Sequence, residues 1–242
     1  MELLKHQVAL VTGAAKRIGK ALALALAESG ANIAITYRDS HAEANGTVGE
    51  LRAFGVEARA YQCDVRSPAD IRQTIDKVAA ELGGINLLVN NAGLFETAAL
   101  EAISVAQWDA MFETNTRGPF LTSQAAYPYL KEAHGRIINI GSLGGVHPWP
   151  THGHYCTSKA ALHMLTATMS KAFAPEISVN CVAPGMIATN GETSAEYEHF
   201  AHKTPMRRNG TPQDVAAAVL FFATGPHFIT GQLLGVDGGL GL

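Results

Sequence analysis

Charge is scarce in this 242-residue chain: 16% of residues are Asp, Glu, Lys or Arg, and their balance is only −3. Neither a basic block nor an acidic tail occurs, which excludes the dense Lys/Arg–phosphate contacts of nonspecific nucleic-acid binding. Aromatic residues are few at 7%, and the three cysteines, Cys63, Cys156 and Cys181, have no metal-like spacing. An odd, unpaired set implies free thiols in a reducing compartment rather than a disulfide framework. No apolar run approaches the length of a membrane span, and residues 1–7 lack the apolar stretch of a secretory signal. A cytoplasmic location without membrane partners is expected.

Apolar residues, by contrast, make up 47% of the chain, enough for a sizeable core. Residues 7–12 read as a strand, rich in β-branched residues and ended by Gly13. The run Ala21-Leu22-Ala23-Leu24-Ala25-Leu26-Ala27 alternates as a strand would, but Ala and Leu are strong helix formers and no β-branched residue supports a strand. A helix ending near Gly30 is predicted. Strands follow at 33–37, 57–62, 87–89, 136–140, 178–182 and 233–236. Helices are predicted at 41–54, 68–82, about 104–131, about 154–173 and 213–223. Strand–helix alternation throughout, without linker or repeat, predicts one domain over 1–242: a doubly wound α/β fold, its parallel sheet flanked by helices on both faces. The irregular stretch 185–212, which includes Met186, has the composition of a substrate lid.

Gly13, Arg17 and Gly19 follow the first strand in the order Gly-x-x-x-Arg-x-Gly, with Ile18 inside the loop. Gly13 permits a tight turn, Gly19 allows close helix–sheet contact, and the helix N-terminus offers N–H groups to a pyrophosphate. Two glycines alone serve equally well in an ordinary strand–helix turn. The second strand adds information. An acidic residue at its end would bind a ribose 2′-hydroxyl, yet that place holds Tyr37, followed by Arg38. Arg17 and Arg38 could clamp a 2′-phosphate with their planar guanidinium groups, although Asp39 stands next to them. NADP(H) is favoured over NAD(H).

Tyr155 and Lys159 lie four residues apart at the start of a predicted helix, hence on one face. Ser142 lies thirteen residues before Tyr155, just past a predicted buried strand, and Asn115 lies in the long helix before it. Together with Asp64-Val65, Asn90-Asn91-Ala92-Gly93, Pro184-Gly185-Met186-Ile187-Ala188-Thr189 and Val236-Asp237-Gly238-Gly239, these residues resemble the short-chain dehydrogenase/reductase family over essentially the whole chain. The resemblance implies a Rossmann-type domain and hydride transfer between a nicotinamide and an alcohol/carbonyl pair. It implies catalytic roles for Asn115, Ser142, Tyr155 and Lys159, with Tyr155 and Lys159 also meeting the cofactor. Asp64 and Val65 would meet the adenine, Asn91, Ala92 and Gly93 would line the cofactor, and Pro184, Gly185, Ile187 and Thr189 would hold its nicotinamide side. It also implies a homotetramer built on the helices near 104–131 and 154–173.

Elementary electrostatics gives these roles a scale. A tyrosine at pKa ~10 reaches neutrality only with roughly 4 kcal/mol of stabilisation. One ammonium about 4 Å away, at an effective dielectric of ~20, supplies that amount. Lys159 is therefore expected to lower the Tyr155 phenol.

The glycines around Ser142 suggest a hydrolase elbow, but Ile140 occupies the place of its first glycine. His147, His152 and His154 have neither helical ligand spacing nor a neighbouring acid, so no metal is expected. Phe95, Ser142, His147, Trp149 and Met186 are the predicted substrate pocket. For substrate, the overall pattern is most similar to 3-oxoacyl-[acyl carrier protein] reductases. Arg17, Tyr37-Arg38 and Phe95 also resemble pteridine reductases, which commonly carry aspartate where Ser142 stands. A third reading, a silent dinucleotide sensor of the same fold, would be marked by loss of Tyr or Lys, and both are present.

Overall fold

The computed structural model describes residues 3–189 and 194–242. Seven strands form one parallel sheet in the order β3-β2-β1-β4-β5-β6-β7. They are β1 (Val8–Val11), β2 (Asn32–Tyr37), β3 (Ala58–Gln62), β4 (Leu87–Asn90), β5 (Arg136–Ile140), β6 (Ser178–Pro184) and β7 (Leu233–Val236). Among the described residues, eight α-helices accompany them: α1 (Arg17–Glu28), α2 (His41–Arg52), α3 (Pro68–Leu82), α4 (Val105–Phe112), α5 (Gly118–Glu132), α6 (Gly153–Ala172), α7 (Ala195–Lys203) and α8 (Pro212–Thr224). Strand order reverses between β1 and β4, and ligands of open α/β sheets bind at the carboxyl edge of such a switch point.

Side-chain alternation along β1 separates two cores. Ala9 and Val11 join α1, α2 and α8 on one face, while Val8 and Leu10 join α3, α5 and α6 on the other. The run of Ala and Leu near residue 21 is helical, burying Leu22, Ala23, Leu26 and Ala27 in α1. Residue type thus outweighs the period-two pattern. Helix starts follow their local chemistry. Ser67 caps α3 ahead of Pro68, and capping boxes Ser104/Gln107 and Thr211/Asp214 begin α4 and α8.

Two predicted elements take a different form. The helix expected over 104–131 is split by a π-helical turn at Glu113–Arg117 between α4 and α5. The stretch 185–212 is not irregular throughout, because Ser194 caps α7 within it. Its ends are tied together: Ala188 N–H donates to Gly210 O at 2.9 Å, and Gly210 N–H to Met186 O at 2.9 Å. Residues 190–193 of the expected lid lie outside the described residues.

Candidate active site

The loop after β1 is a tight cradle. Gly13 has φ +63°, and a Cβ there would lie 2.8 Å from Ala92 Cα. At Gly19 a Cβ would lie 2.5 Å from Asn91 Nδ2 and 2.6 Å from Gly13 O, so only glycine fits. Asn91 closes the cradle by donating to Thr12 O and Gly13 O at 2.9 and 3.0 Å. The Thr12 hydroxyl in turn accepts the backbone N–H groups of Asn91 and Ala92, both at 3.0 Å. Helix α1 starts without a side-chain cap or an acidic residue in its first turn, leaving its N–H groups to whatever occupies the loop. Arg17 is exposed and has φ +55°, a left-handed conformation that favours glycine. Arg17 thus holds a backbone conformation that glycine adopts at no steric cost.

Tyr37, at the expected acidic position, is buried and its hydroxyl pairs with His41 Nδ1 at 2.7 Å. Arg38 pairs with Asp39 at 2.6 Å, both well exposed. An exposed ion pair contributes little, so the Arg38 guanidinium is readily recruited by a stronger anion. The Asp64 carboxylate is gripped by Arg66 at 2.6 Å, which holds its pKa below the ordinary value. Val65 is buried against Gly118, where a Cβ would sit 3.1 Å from Val65 O. Pro184 ends β6, and a Cβ on the next residue, Gly185, would meet Asp237 Cβ at 2.7 Å. Ile187 and Thr189 are buried beyond them, Ile187 bridged to Gly210.

Across the switch point, β5 and α6 bring three polar side chains together. Lys159, buried, donates from Nζ to Ile140 O at 2.8 Å. Its Nζ lies 6.0 Å from the Tyr155 ring centroid. The neighbouring Ser142 hydroxyl, which accepts Gly144 N–H at 3.0 Å, pulls the Tyr155 phenol down, but burial outweighs this and pushes it up to about 12. Burial also pushes Lys159 down to about 8. The expected lowering of Tyr155 by Lys159 is therefore not found: the ammonium is turned to the Ile140 carbonyl, and desolvation dominates both groups.

Asn115 is fully buried inside the π turn. Its Oδ1 accepts Leu94 N–H at 2.7 Å, and its Nδ2 donates to Leu94 O at 2.9 Å and Ser158 Oγ at 3.0 Å. The extra residue of the π turn aims this amide at the segment following Gly93 and fastens that segment to α6.

Aromatic rings surround Tyr155. Phe95 meets it edge-on at 4.8 Å, and Trp149 lies nearly parallel at 6.1 Å. His152 stacks on Phe95 at 4.8 Å and pairs with Thr97 and Thr151. Phe95, Trp149 and Ser142 of the predicted pocket thus converge on Tyr155. His147 sits beside the C-terminal tail, its Nε2 3.1 Å from where a Cβ on Gly241 would be. Met186 lies at the tied base of the 185–212 stretch. His154 is fully buried with Glu96 3.8 Å away. Among the described residues, no three His, Cys, Asp or Glu side chains gather as a metal set.

Sequence reasoning passed over Thr12, Ser158 and His163. The signal for His163 was its i,i+4 spacing from Lys159, which puts both on one face of α6. It also explains the glycines around Ser142. The His163 imidazole occupies the space of a Cβ on Gly141 or Gly145, and the Trp149 ring comes within 3.1 Å of a Cβ on Gly144.

A family model described as enoyl-(acyl carrier protein) reductase matches residues 13–241. A 3-oxoacyl-[acyl-carrier-protein] reductase from Synechocystis sp. is 39% identical over 244 residues, 99% of each chain. The chain belongs to the short-chain dehydrogenase/reductase family. It is an oxidoreductase, and the fold agrees with that of family members. A short-chain dehydrogenase from Burkholderia cenocepacia in complex with NADP has a TM-score of 0.93 at 37% identity, covering 99% of both chains. Acetoin dehydrogenase from Salmonella typhimurium has a TM-score of 0.88 at 35% identity, covering 97% of this chain and 95% of its own. No helix among the described residues is long and apolar enough to cross a membrane.

Proposed function

We propose that this chain is an NADP(H)-dependent reductase of carbonyl compounds, of 3-oxoacyl type, using Tyr155 as acid. The carrying observation is the convergence of Ser142 and Tyr155 beside the buried Lys159, at the sheet edge that also holds the Gly13/Gly19 cradle. The cradle suits a dinucleotide: its glycines let the loop close tightly on Asn91 and Ala92, and the uncapped start of α1 supplies donors for a pyrophosphate. Asn91, Ala92 and Gly93 would line the cofactor, with Pro184, Gly185, Ile187 and Thr189 on its far side. NADPH supplies the hydride.

The residues of the chain do the rest. Ser142 and Tyr155 hold the substrate oxygen with two hydroxyl groups, as an oxyanion site does. A phenol raised to about 12 carries its proton at neutral pH, so Tyr155 is set to donate to an alkoxide rather than to abstract. The phenolate left behind is stabilised by the Lys159 ammonium and regains its proton from solvent. Two hydroxyl groups on one oxygen suit reduction of C=O better than of C=C, where hydride addition falls further from that oxygen.

Arg17 and Arg38 support NADPH over NADH. If each guanidinium makes a charge-assisted bond to the 2′-phosphate, the Arg17→Ala/Arg38→Ala variant should lose NADPH preference by about 10- to 100-fold. Absorbance of NADPH and NADH, followed separately with β-keto esters, diketones, quinones, sugars and dihydropterins, tests the whole reading. Wild-type preference for NADH refutes the cofactor assignment, and no turnover with any carbonyl favours the silent sensor. Turnover of dihydropterin alone supports the second reading, which rests on exposed Phe95 against Tyr155. It ranks lower because Ser142 offers no carboxylate to protonate a ring nitrogen.

A homotetramer on α4–α6 belongs to the same proposal. Trp108 stacks on Phe112 at 5.1 Å, and Trp108 and Phe120 are exposed on that surface. A monomeric sedimentation mass counts against it.

A further inference from the structure

We propose that His163 is a positioning residue for Ser142: with Lys159, one turn away on α6, it grips the carboxyl end of β5 at two points. Lys159 Nζ donates to Ile140 O at 2.8 Å, and Ser142 N–H donates to His163 Nε2 at 3.4 Å. The two contacts bracket Gly141, so the backbone that carries the Ser142 hydroxyl is fixed from one helix face. This inference rests on the reading of Ser142 as a holder of the substrate oxygen.

Three observations converge on it. The backbone around Ser142 is cleared for this ring, since a Cβ on either Gly141 or Gly145 would run into the imidazole. The ring's tautomer is set by its bond: with Nε2 accepting, Nδ1 carries the proton. That Nδ1 is enclosed and has no hydrogen-bond partner. A buried donor without a partner is costly, so an apolar side chain would fill this space at less cost. What the histidine adds over such a filler is the Nε2 acceptor. The ring also stays an acceptor at neutral pH, because burial and the Lys159 ammonium hold it near 4. Its other titratable neighbour is Cys181 of β6, whose thiol sits 2.7 Å from a Cβ on Gly141 and is pushed up to about 12.

The test compares His163→Leu, His163→Gln, Ser142→Ala and the double variant His163→Leu/Ser142→Ala in steady-state reduction by NADPH, alongside NADPH Kd. His163→Leu should lower kcat about tenfold, the scale of a slightly misplaced polar group, with KM and NADPH Kd nearly unchanged. His163→Gln, whose amide oxygen can accept from Ser142 N–H, should recover most of that loss. The double variant should be no slower than Ser142→Ala alone, because the two residues act through one interaction. Wild-type kcat in His163→Leu, equal loss in His163→Gln, or additive losses in the double variant overturns the proposal. Ser142→Ala with full turnover overturns the parent reading and the clamp together. A slow Ser142→Ala beside an unaffected His163→Leu overturns the clamp alone. Nitrogen-15 NMR of the wild-type imidazole decides independently of how the variants fold: a proton on Nδ1 agrees, and a proton on Nε2 overturns it.

Discussion

Tyr155→Phe should keep NADPH affinity close to that of the wild type while turnover falls by about three orders of magnitude, the scale of a lost general acid. The substitution removes one hydroxyl and leaves a ring of the same shape between Phe95 and Trp149. Cofactor contacts assigned to the Gly13/Gly19 cradle lie on another loop and are untouched. Binding is measured by NADPH fluorescence titration, and rate by single-turnover oxidation. Near wild-type turnover in this variant would remove Tyr155 from the mechanism. Equal loss of affinity and rate would make its role structural.

Lys159→Met should be the second most damaging change. In the resting site the ammonium faces Ile140 O and does not lower the phenol; turned to a phenolate at about 6 Å, at an effective dielectric of about 20, it would stabilise the negative charge by about 3 kcal/mol. That corresponds to about 100-fold in rate. Its loss also leaves Ile140 O without its donor at the end of β5, where Ser142 follows two residues on. The pH dependence gives a second readout with a definite sign. Burial lowers Lys159 to about 8, so the ammonium is present below that pH and lost above it. Wild-type kcat/KM for reduction should therefore fall as pH rises through about 8. Lys159→Met should lack that descending limb. A limb that persists in the variant would assign it to another group.

Sequence reading reached the fold because the repeated unit is written in residue type. Pro68–Leu82 is bounded by Ser67 with Pro68 at one end and by Gly83 at φ +88° at the other, all visible in the letters. That Tyr155 and Lys159 share one face of α6 was likewise legible from their spacing, whereas Ser142 joined them through the family resemblance. What escaped depends on tertiary surroundings. The residues Glu113-Thr114-Asn115-Thr116-Arg117 carry no proline or glycine themselves, but Gly118-Pro119 follow directly, and Pro119 lacks the N–H that an α-helical bond to Asn115 O would need. The tertiary support of the π turn is the bonding of Asn115 to Leu94, twenty-one residues away. The direction of the Tyr155 shift also escaped, because a spacing of four residues gives proximity but not burial or the competing Ile140 carbonyl. His163 was hidden for a similar reason. Its partners are backbone atoms, which no side-chain pattern displays.

The π turn has one further consequence. It amounts to a single additional residue within an otherwise continuous helical rod from α4 to α5. Within that rod Pro119 lacks the N–H that an α-helical bond to Asn115 O would need, and the wider turn lets the Asn115 amide face Leu94 while α5 continues beyond it. The stretch that joins two helices is thus also the one that fastens the segment after Gly93.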